Sequence, residues 1–272
     1  MDLDDLLAVA RLAADAGAEA AMRWRRRADQ LTIEEKAGPD DLVSQADREA
    51  EQAIRAVLAA RRPDDGVLGE EGGNAAGRSG VRWIVDPIDG TTNYLYGRPD
   101  WAVSVAAARV DGDELLAGVV AEPELGRVTE ARRGGGTWSG GVRQPELRGA
   151  DLQRTLIELN LGRAAQKAHA GRMIDALVPR VRDVRRGGSA AGALAQLATG
   201  RVDAVWVPGL RPWDCAAGVL LAQEVGAQVG DLTGRSPGTW PASGDVLAAP
   251  HGLWETLREL IAGAYPEGMA GH

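Results

Sequence analysis

Trp83-Ile-Val-Asp-Pro-Ile-Asp-Gly-Thr-Thr-Asn93 is the stretch on which the reading of this chain turns. The apolar run from Val81 to Val85 reads as a buried strand. That strand delivers two carboxylates, Asp86 and Asp89, into a segment punctuated by Pro87 and Gly90. Pro87 biases Asp86 toward extended geometry, and Gly90 permits close approach of the backbone. A turn of this kind aims Asp86, Asp89 and the carbonyl of Ile88 at one point. Hard oxygen donors in such a cluster suit Mg²⁺. The N–H groups of Gly90 and Thr91 are then placed to hold a phosphate oxygen. Asp, Pro and Gly are also ordinary turn residues, so the weight lies on the whole string and on the strand that precedes it.

Outward from that segment lie three further acidic positions. Gly69-Glu70-Glu71 follows the short apolar pair Val67-Leu68; a solvated acidic loop would look the same. Trp213-Asp214 follows Pro212 at a helix start, where Asp214 would also complement the helix dipole. Ala216-Ala217-Gly218 behind it would let that helix approach a neighbour closely. Ser44-x-x-Asp47 fits a capping box, which leaves Asp47 open between a helix cap and a site residue. Lys36 and Lys167 are the only lysines in a chain with 31 Lys and Arg. A lysine kept where arginine is preferred is a candidate for a specific role, against the plainer reading of a solvated loop residue.

Composition narrows the function classes. The chain has 272 residues, 44% apolar and 26% charged, which suits one compact unit with sub-lobes of about 1–148 and 149–272. A net charge of −8 argues against a nucleic-acid partner. An anionic substrate would therefore need positive charge supplied locally. Cys215 is the single cysteine, so no disulfide framework exists. The acidic N-terminus and the absence of a long apolar run predict a cytoplasmic protein without a membrane anchor.

Periodicity predicts helices over Leu3 to about Arg27 and Ala46 to Arg61, with a loop from Lys36 to Asp41 between them. Antiparallel strands are expected at 102–110, 115–121 and 127–131, with hairpin turns at Gly134–Gly136 and Gly140-Gly141. The second half alternates: strands near 155–159, 183–186, 204–207 and 246–249, helices near 166–177, 190–199, 213–224 and 253–262. Alternating layers of helix and sheet follow.

At this point the motifs carry a resemblance. Trp83 to Asn93 closely resembles the first signature of the inositol monophosphatase family, and Trp213-Asp-Cys-Ala-Ala-Gly-Val-Leu-Leu-Ala-Gln-Glu-Val-Gly226 resembles the second. Gly69-Glu-Glu71 and Leu42-Val-Ser-Gln-Ala-Asp47 match in the family's order and spacing, so the likeness spans roughly residues 1 to 262. It implies an α+β fold, a layered α/β/α/β/α sandwich of the sugar phosphatase kind, as a homodimer. It implies metal ligation by Glu70, Asp86, the Ile88 carbonyl, Asp89 and Asp214. Thr91 would orient an attacking water with Asp47 and Glu70, Lys36 would stand beside the metals, and Gly90 and Thr91 would take the phosphate. Two or three Mg²⁺ ions, replaceable by Mn²⁺ and opposed by Li⁺ and Ca²⁺, are implied as well. Asp89, Arg185, Gly188, Ser189, Ala190, Val207 and Asp214 fall on the substrate pocket, and Arg211 is a further candidate.

Other phosphatase chemistries lack their residues. Cys215 is followed by Ala-Ala-Gly-Val-Leu-Leu221, without the arginine a cysteine nucleophile needs. His169, His251 and His272 have no arginine-and-glycine setting, and Asp86 and Asp89 are separated by two residues rather than one. No Walker-type loop is present. The departure from the family's inositol-selective members is at Val207, where they commonly carry an acidic residue that binds substrate hydroxyls. A valine cannot accept those bonds. Expected substrates are inositol 1-phosphate first, favoured by Thr92, then histidinol phosphate, or another sugar, aminocyclitol or nucleotide monoester such as 3′-phosphoadenosine 5′-phosphate. A non-catalytic regulatory protein on the same fold is the reading from another class.

Overall fold

The computed structural model describes residues 1–38, 41–149, 151–162 and 164–264. Its strands are β1 (Ile33–Gly38), β2 (Asp41–Ser44), β3 (Gly66–Gly69), β4 (Gly73–Ala75), β5 (Val81–Asp89), β6 (Ala102–Arg109), β7 (Leu115–Glu122), β8 (Arg127–Arg132), β9 (Thr137–Ser139), β10 (Val142–Arg143), β11 (Leu156–Leu159), β12 (Asp183–Arg185), β13 (Ala204–Val207), β14 (Ala227–Gly230) and β15 (Val246–Pro250). Its helices are α1 (Leu3–Arg25), α2 (Gln45–Arg61), α3 (Thr91–Leu95), α4 (Ala164–Leu177), α5 (Ala190–Ala198), α6 (Pro212–Glu224) and α7 (His251–Ala262).

Two sheets carry the molecule. One has eight strands in the order β10-β9-β8-β7-β6-β5-β3-β4, and the other has five in the order β12-β11-β13-β15-β14. Residues 66–143 supply the first and residues 156–250 the second. Strand alternation assigns the layers. In β6, Val103, Val105 and Ala107 face α1 and α2, while Ala102, Ala106 and Ala108 face α5 and α6. In β13, Val205 and Val207 face that same α5–α6 layer, and Ala204 and Trp206 face α4 and α7. Helix pair, sheet, helix pair, sheet and helix pair follow in order: the expected α/β/α/β/α sandwich.

The middle helical layer is packed tightly because its residues are small. A Cβ added at Gly218 of α6 would stand 2.6 Å from Leu194 Cβ of α5. The first turn of α5 meets Asp89 at the end of β5, and Asp214 in the first turn of α6 comes within 4.8 Å of it.

Differences from the sequence reading are local. Lys36 is not in a loop: it lies in β1, which pairs with β2 across Gly38 and Asp41. Alternation in Ile33-Glu-Glu-Lys and Asp41-Leu-Val-Ser outweighs the Gly-Pro punctuation there. Residues 39 and 40, and the side chain of Lys36, lie outside what is described. The turn expected at Asp86 begins later, because β5 runs on to Asp89 with a break in register against β6 between Asp86 and Asp89. Helix α3 and strands β4 and β14 were not foreseen. Among the described residues no helix is long and apolar enough to cross a membrane.

Candidate active site

The irregular end of β5 builds the site's floor. Asp86 is 1% exposed and accepts a hydrogen bond from the Ile88 N–H at 3.0 Å. Gly90 then turns the chain with φ of 92°, a left-handed value that glycine adopts without steric cost, and starts α3. The Thr91 hydroxyl stands 3.1 Å from the Ile88 carbonyl oxygen and 3.4 Å from Asp47 Oδ1. Its proton goes to one of these acceptors, which leaves an oxygen lone pair for a donor in the cavity.

Asp47 resolves its two readings by serving both. Its Oδ2 accepts from the Ser44 N–H at 2.8 Å and the Ser44 hydroxyl at 2.7 Å, completing the capping box of α2. Its other oxygen faces Thr91. Burial pushes the Asp47 carboxyl up to about 6, against the lowering effect of the Ser44 bonds.

The second half brings helix ends to the same place. Asp89 accepts from the Ser189 hydroxyl at 2.5 Å and from the Ala191 N–H at 2.7 Å, so it sits on the first turn of α5. Asp214, in the first turn of α6, accepts from the Arg211 N–H at 2.7 Å. Oxygens of Asp86, Asp89 and Asp214 lie within 4.8 Å of one another. Burial, then the charge of Asp214, pushes Asp89 up to about 7. Burial raises Asp86 well above the carboxylate range, followed by the charges of Glu70, Asp89, Asp214 and Asp47. Several carboxylates held together this way repel one another, and a cation offsets both the repulsion and the burial. The donor set, carboxylate oxygens with a carbonyl at hand, fits a hard divalent ion.

Glu70 reaches the same cavity from the turn after β3. Glu51, itself 2% exposed, fixes that turn by accepting from the N–H groups of Glu71 at 2.7 Å and Gly72 at 2.8 Å.

Above this floor opens a cavity of about 320 Å³. Glu70, Asp86, Ile88, Asp89, Gly90 and Thr91 are among the residues that line it. Gly188, Ala190, Val207 and Asp214 line it as well, as the sequence reading expected, and Ser189 acts one step back by holding Asp89. Arg185 and Arg211 do not line the cavity: Arg185 is exposed and pairs with Asp183 at 2.6 Å, and Arg211 is exposed at the start of α6. The neighbouring Arg186, just past the end of β12, lines the cavity instead. Asn160, Lys167 and the wall Pro208-Gly209-Leu210 were also missed.

Asn93 and Glu158 brace the turn between β12 and α5. The Asn93 amide donates to the carbonyls of Gly187 and Asp100, both at 2.6 Å. Glu158, 3% exposed on β11, accepts from the Gly187 N–H. Gly188 follows with φ of 98°, and a Cβ there would stand 2.9 Å from the Asn93 amide nitrogen. A lone charge within Leu156-Ile-Glu-Leu159 was the available signal for Glu158.

Comparison with known proteins agrees with the geometry. The model of the inositol monophosphatase family matches residues 2–269. An inositol-1-monophosphatase of Mesorhizobium japonicum is 42% identical over 72% of this chain and 74% of its own length. A Nus factor SuhB of Xylella fastidiosa is 36% identical over 81% of this chain and 82% of its own. The crystal structure of the extragenic suppressor protein suhB from Bartonella henselae superposes with a TM-score of 0.87 at 31% identity, over 97% of this chain and 99% of that one.

Proposed function

This chain belongs to the inositol monophosphatase family of phosphoric monoester hydrolases, and from that premise we propose that it is a Mg²⁺-dependent phosphatase of a small polyol or cyclitol phosphate, with inositol 1-phosphate as first substrate. The observation that carries the metal part is the convergence of Asp86, Asp89 and Asp214 within 4.8 Å. Glu70, Asp86, the Ile88 carbonyl, Asp89 and Asp214 would hold the ions. Bound Mg²⁺ would supply charge neutralisation at the phosphoryl group and a water of lowered pKa.

The remaining work falls to the chain itself. Thr91, its hydroxyl proton directed to Ile88 or Asp47, offers a lone pair that orients a water for in-line attack. Glu70 lines the same cavity and would receive that water's proton. The N–H groups of Gly90 and Thr91 open the first turn of α3, where N–H groups lack helical partners, and would take phosphate oxygens. Lys36 would stand nearby, as the family likeness implies. Mn²⁺ replacing Mg²⁺, inhibition by Li⁺ and Ca²⁺, and a homodimer are proposed on that likeness alone.

The test is phosphate release from inositol 1-phosphate, histidinol phosphate, sugar phosphates and 3′-phosphoadenosine 5′-phosphate with Mg²⁺, then with EDTA. Release that EDTA abolishes is expected; release surviving exhaustive chelation sinks the metal reading. A second reading, a regulatory protein on this fold, is prompted by the name of the Xylella relative. Retention of Glu70, Asp86, Asp89, Thr91 and Asp214 favours catalysis. No release across the whole panel would establish the regulatory reading instead.

A further inference from the structure

Resting on the phosphatase reading above, we propose that Asn160 binds the hydroxyl groups of the alcohol, supplying from the neighbouring strand the acceptor that Val207 lacks. Strand register places it there. β11 and β13 run parallel with Leu159 opposite Trp206, and the Asn160 N–H extends the ladder by donating to the Trp206 carbonyl at 2.9 Å. Asn160 and Val207 are thus the next residues along two adjacent strands, where side chains at matching positions share a face. Both line the cavity.

Asn160 is half-buried, and among the described residues its carboxamide makes no hydrogen bond. One oxygen accepts and two N–H groups donate, so a single side chain can meet two adjacent hydroxyls, each of which is donor and acceptor at once. Its neighbours on that wall do not match this. Val207, Pro208 and Leu210 present apolar side chains, Gly162 and Gly209 have none, and Lys167 only donates. Arg186, just past β12, likewise donates without accepting. Thr92 and Asn93 line the cavity from α3, which follows β5 of the other sheet. Thr92 adds one hydroxyl, and the Asn93 amide N–H groups are already committed to Gly187 and Asp100. Outside the clustered carboxylates, Asn160 is therefore the side chain on the five-stranded sheet's wall that takes a hydroxyl proton. A cavity of about 320 Å³ is at the small end for ligand sites, which suits one hydroxylated ring beside it.

The test compares kcat/KM with Mg²⁺ for myo-inositol 1-phosphate and for cyclohexyl phosphate, the same ring without hydroxyls. The ratio of the two is measured on the unaltered protein and on Asn160→Ala, Asn160→Leu and Asn160→Asp. Comparing ratios between variants cancels the difference between the two leaving alcohols. The unaltered protein should favour inositol 1-phosphate. Asn160→Ala and Asn160→Leu should each lower the ratio by about 10-fold, mainly through the KM for inositol 1-phosphate, as loss of hydrogen bonds to a bound hydroxyl predicts. Asn160→Asp keeps an oxygen acceptor and should hold the ratio within about threefold of the original. Should Asn160→Ala fail to fold, Asn160→Leu, of similar size, decides. A ratio at or below one in the unaltered protein, a ratio that neither apolar variant moves, or an equal fall in Asn160→Asp overturns the inference and leaves the phosphatase reading intact. No release from either substrate by the unaltered protein overturns both.

Discussion

The two ends of the cavity are built differently. At the acidic end, Asp47, Asp86, Asp89 and Asp214 sit on strand ends and helix first turns, and each accepts at least one hydrogen bond from the fold. At the other end, Asn160, Pro208, Gly209 and Leu210 come from the segments between β11 and α4 and between β13 and α6. Most of the clustered carboxylates are mounted on regular elements, with Glu70 on a turn, whereas much of the rest of the wall comes from connecting segments, which tolerate change. The contrast explains how a family can keep one reaction and vary its substrate.

The largest effect should come from breaking the rigid end. Asp89→Asn removes a charge from the ligand cluster while keeping an acceptor for Ser189 and Ala191. It is expected to cut kcat by at least about 10²-fold, as loss of one electrostatic stabiliser does. Steady-state kinetics at saturating Mg²⁺ measure it, and near-normal turnover would show that the ligand set is wrong.

A smaller effect should follow from loosening the joint between the two ends. Glu158 touches neither phosphate nor alcohol but fixes Gly187, and through that turn Ser189 and Asp89. Glu158→Ala should lower kcat by about tenfold, and Glu158→Gln, which keeps an acceptor, should restore most of it. Equal loss in both variants, or loss confined to thermal stability, would assign Glu158 to the core alone.

The smallest effect is one of pH on the metal-free protein. Asp47 at about 6, Asp89 at about 7 and Asp86, raised by burial and by the neighbouring carboxylates, all bind protons more tightly when folded than unfolded. The stability these three groups contribute is therefore fully present below the ordinary aspartate range and is lost as pH rises through the raised values. In EDTA the melting temperature should fall between about pH 4 and pH 8, and Mg²⁺ should flatten the slope. A melting temperature that rises over that interval in EDTA would contradict the buried, mutually repelling cluster.

How much of this was legible in the sequence follows the same division. The carboxylate cluster was readable because its residues lie in strings with fixed local geometry: Asp86 to Asn93, the capping box at Ser44, the Pro-led helix at Asp214. Long periodic helices such as α1 and α2 were equally plain. Arg186 was misread by one position because Arg185 and Arg186 are alike in composition and only the end of β12 decides which faces inward. Pro208, Gly209 and Leu210 carry no pattern of their own. Their place depends on the Asp245 carboxylate, which holds the Gly209 N–H at 2.8 Å from 36 residues away. The β1–β2 hairpin was hidden because Gly38-Pro39 punctuates a tight connection and a long loop alike.

Asp47 has a bearing on how such a protein can be altered. One oxygen secures the start of a 17-residue helix and the other addresses Thr91. Any replacement there is judged twice, once by the scaffold and once by the reaction, so few evolutionary paths pass through it. Val207 answers to the cavity and to its packing layer, with no hydrogen bond of its own side chain to lose. New specificities are therefore expected to arise by drift on that side of the cavity, with the acidic side inherited unchanged.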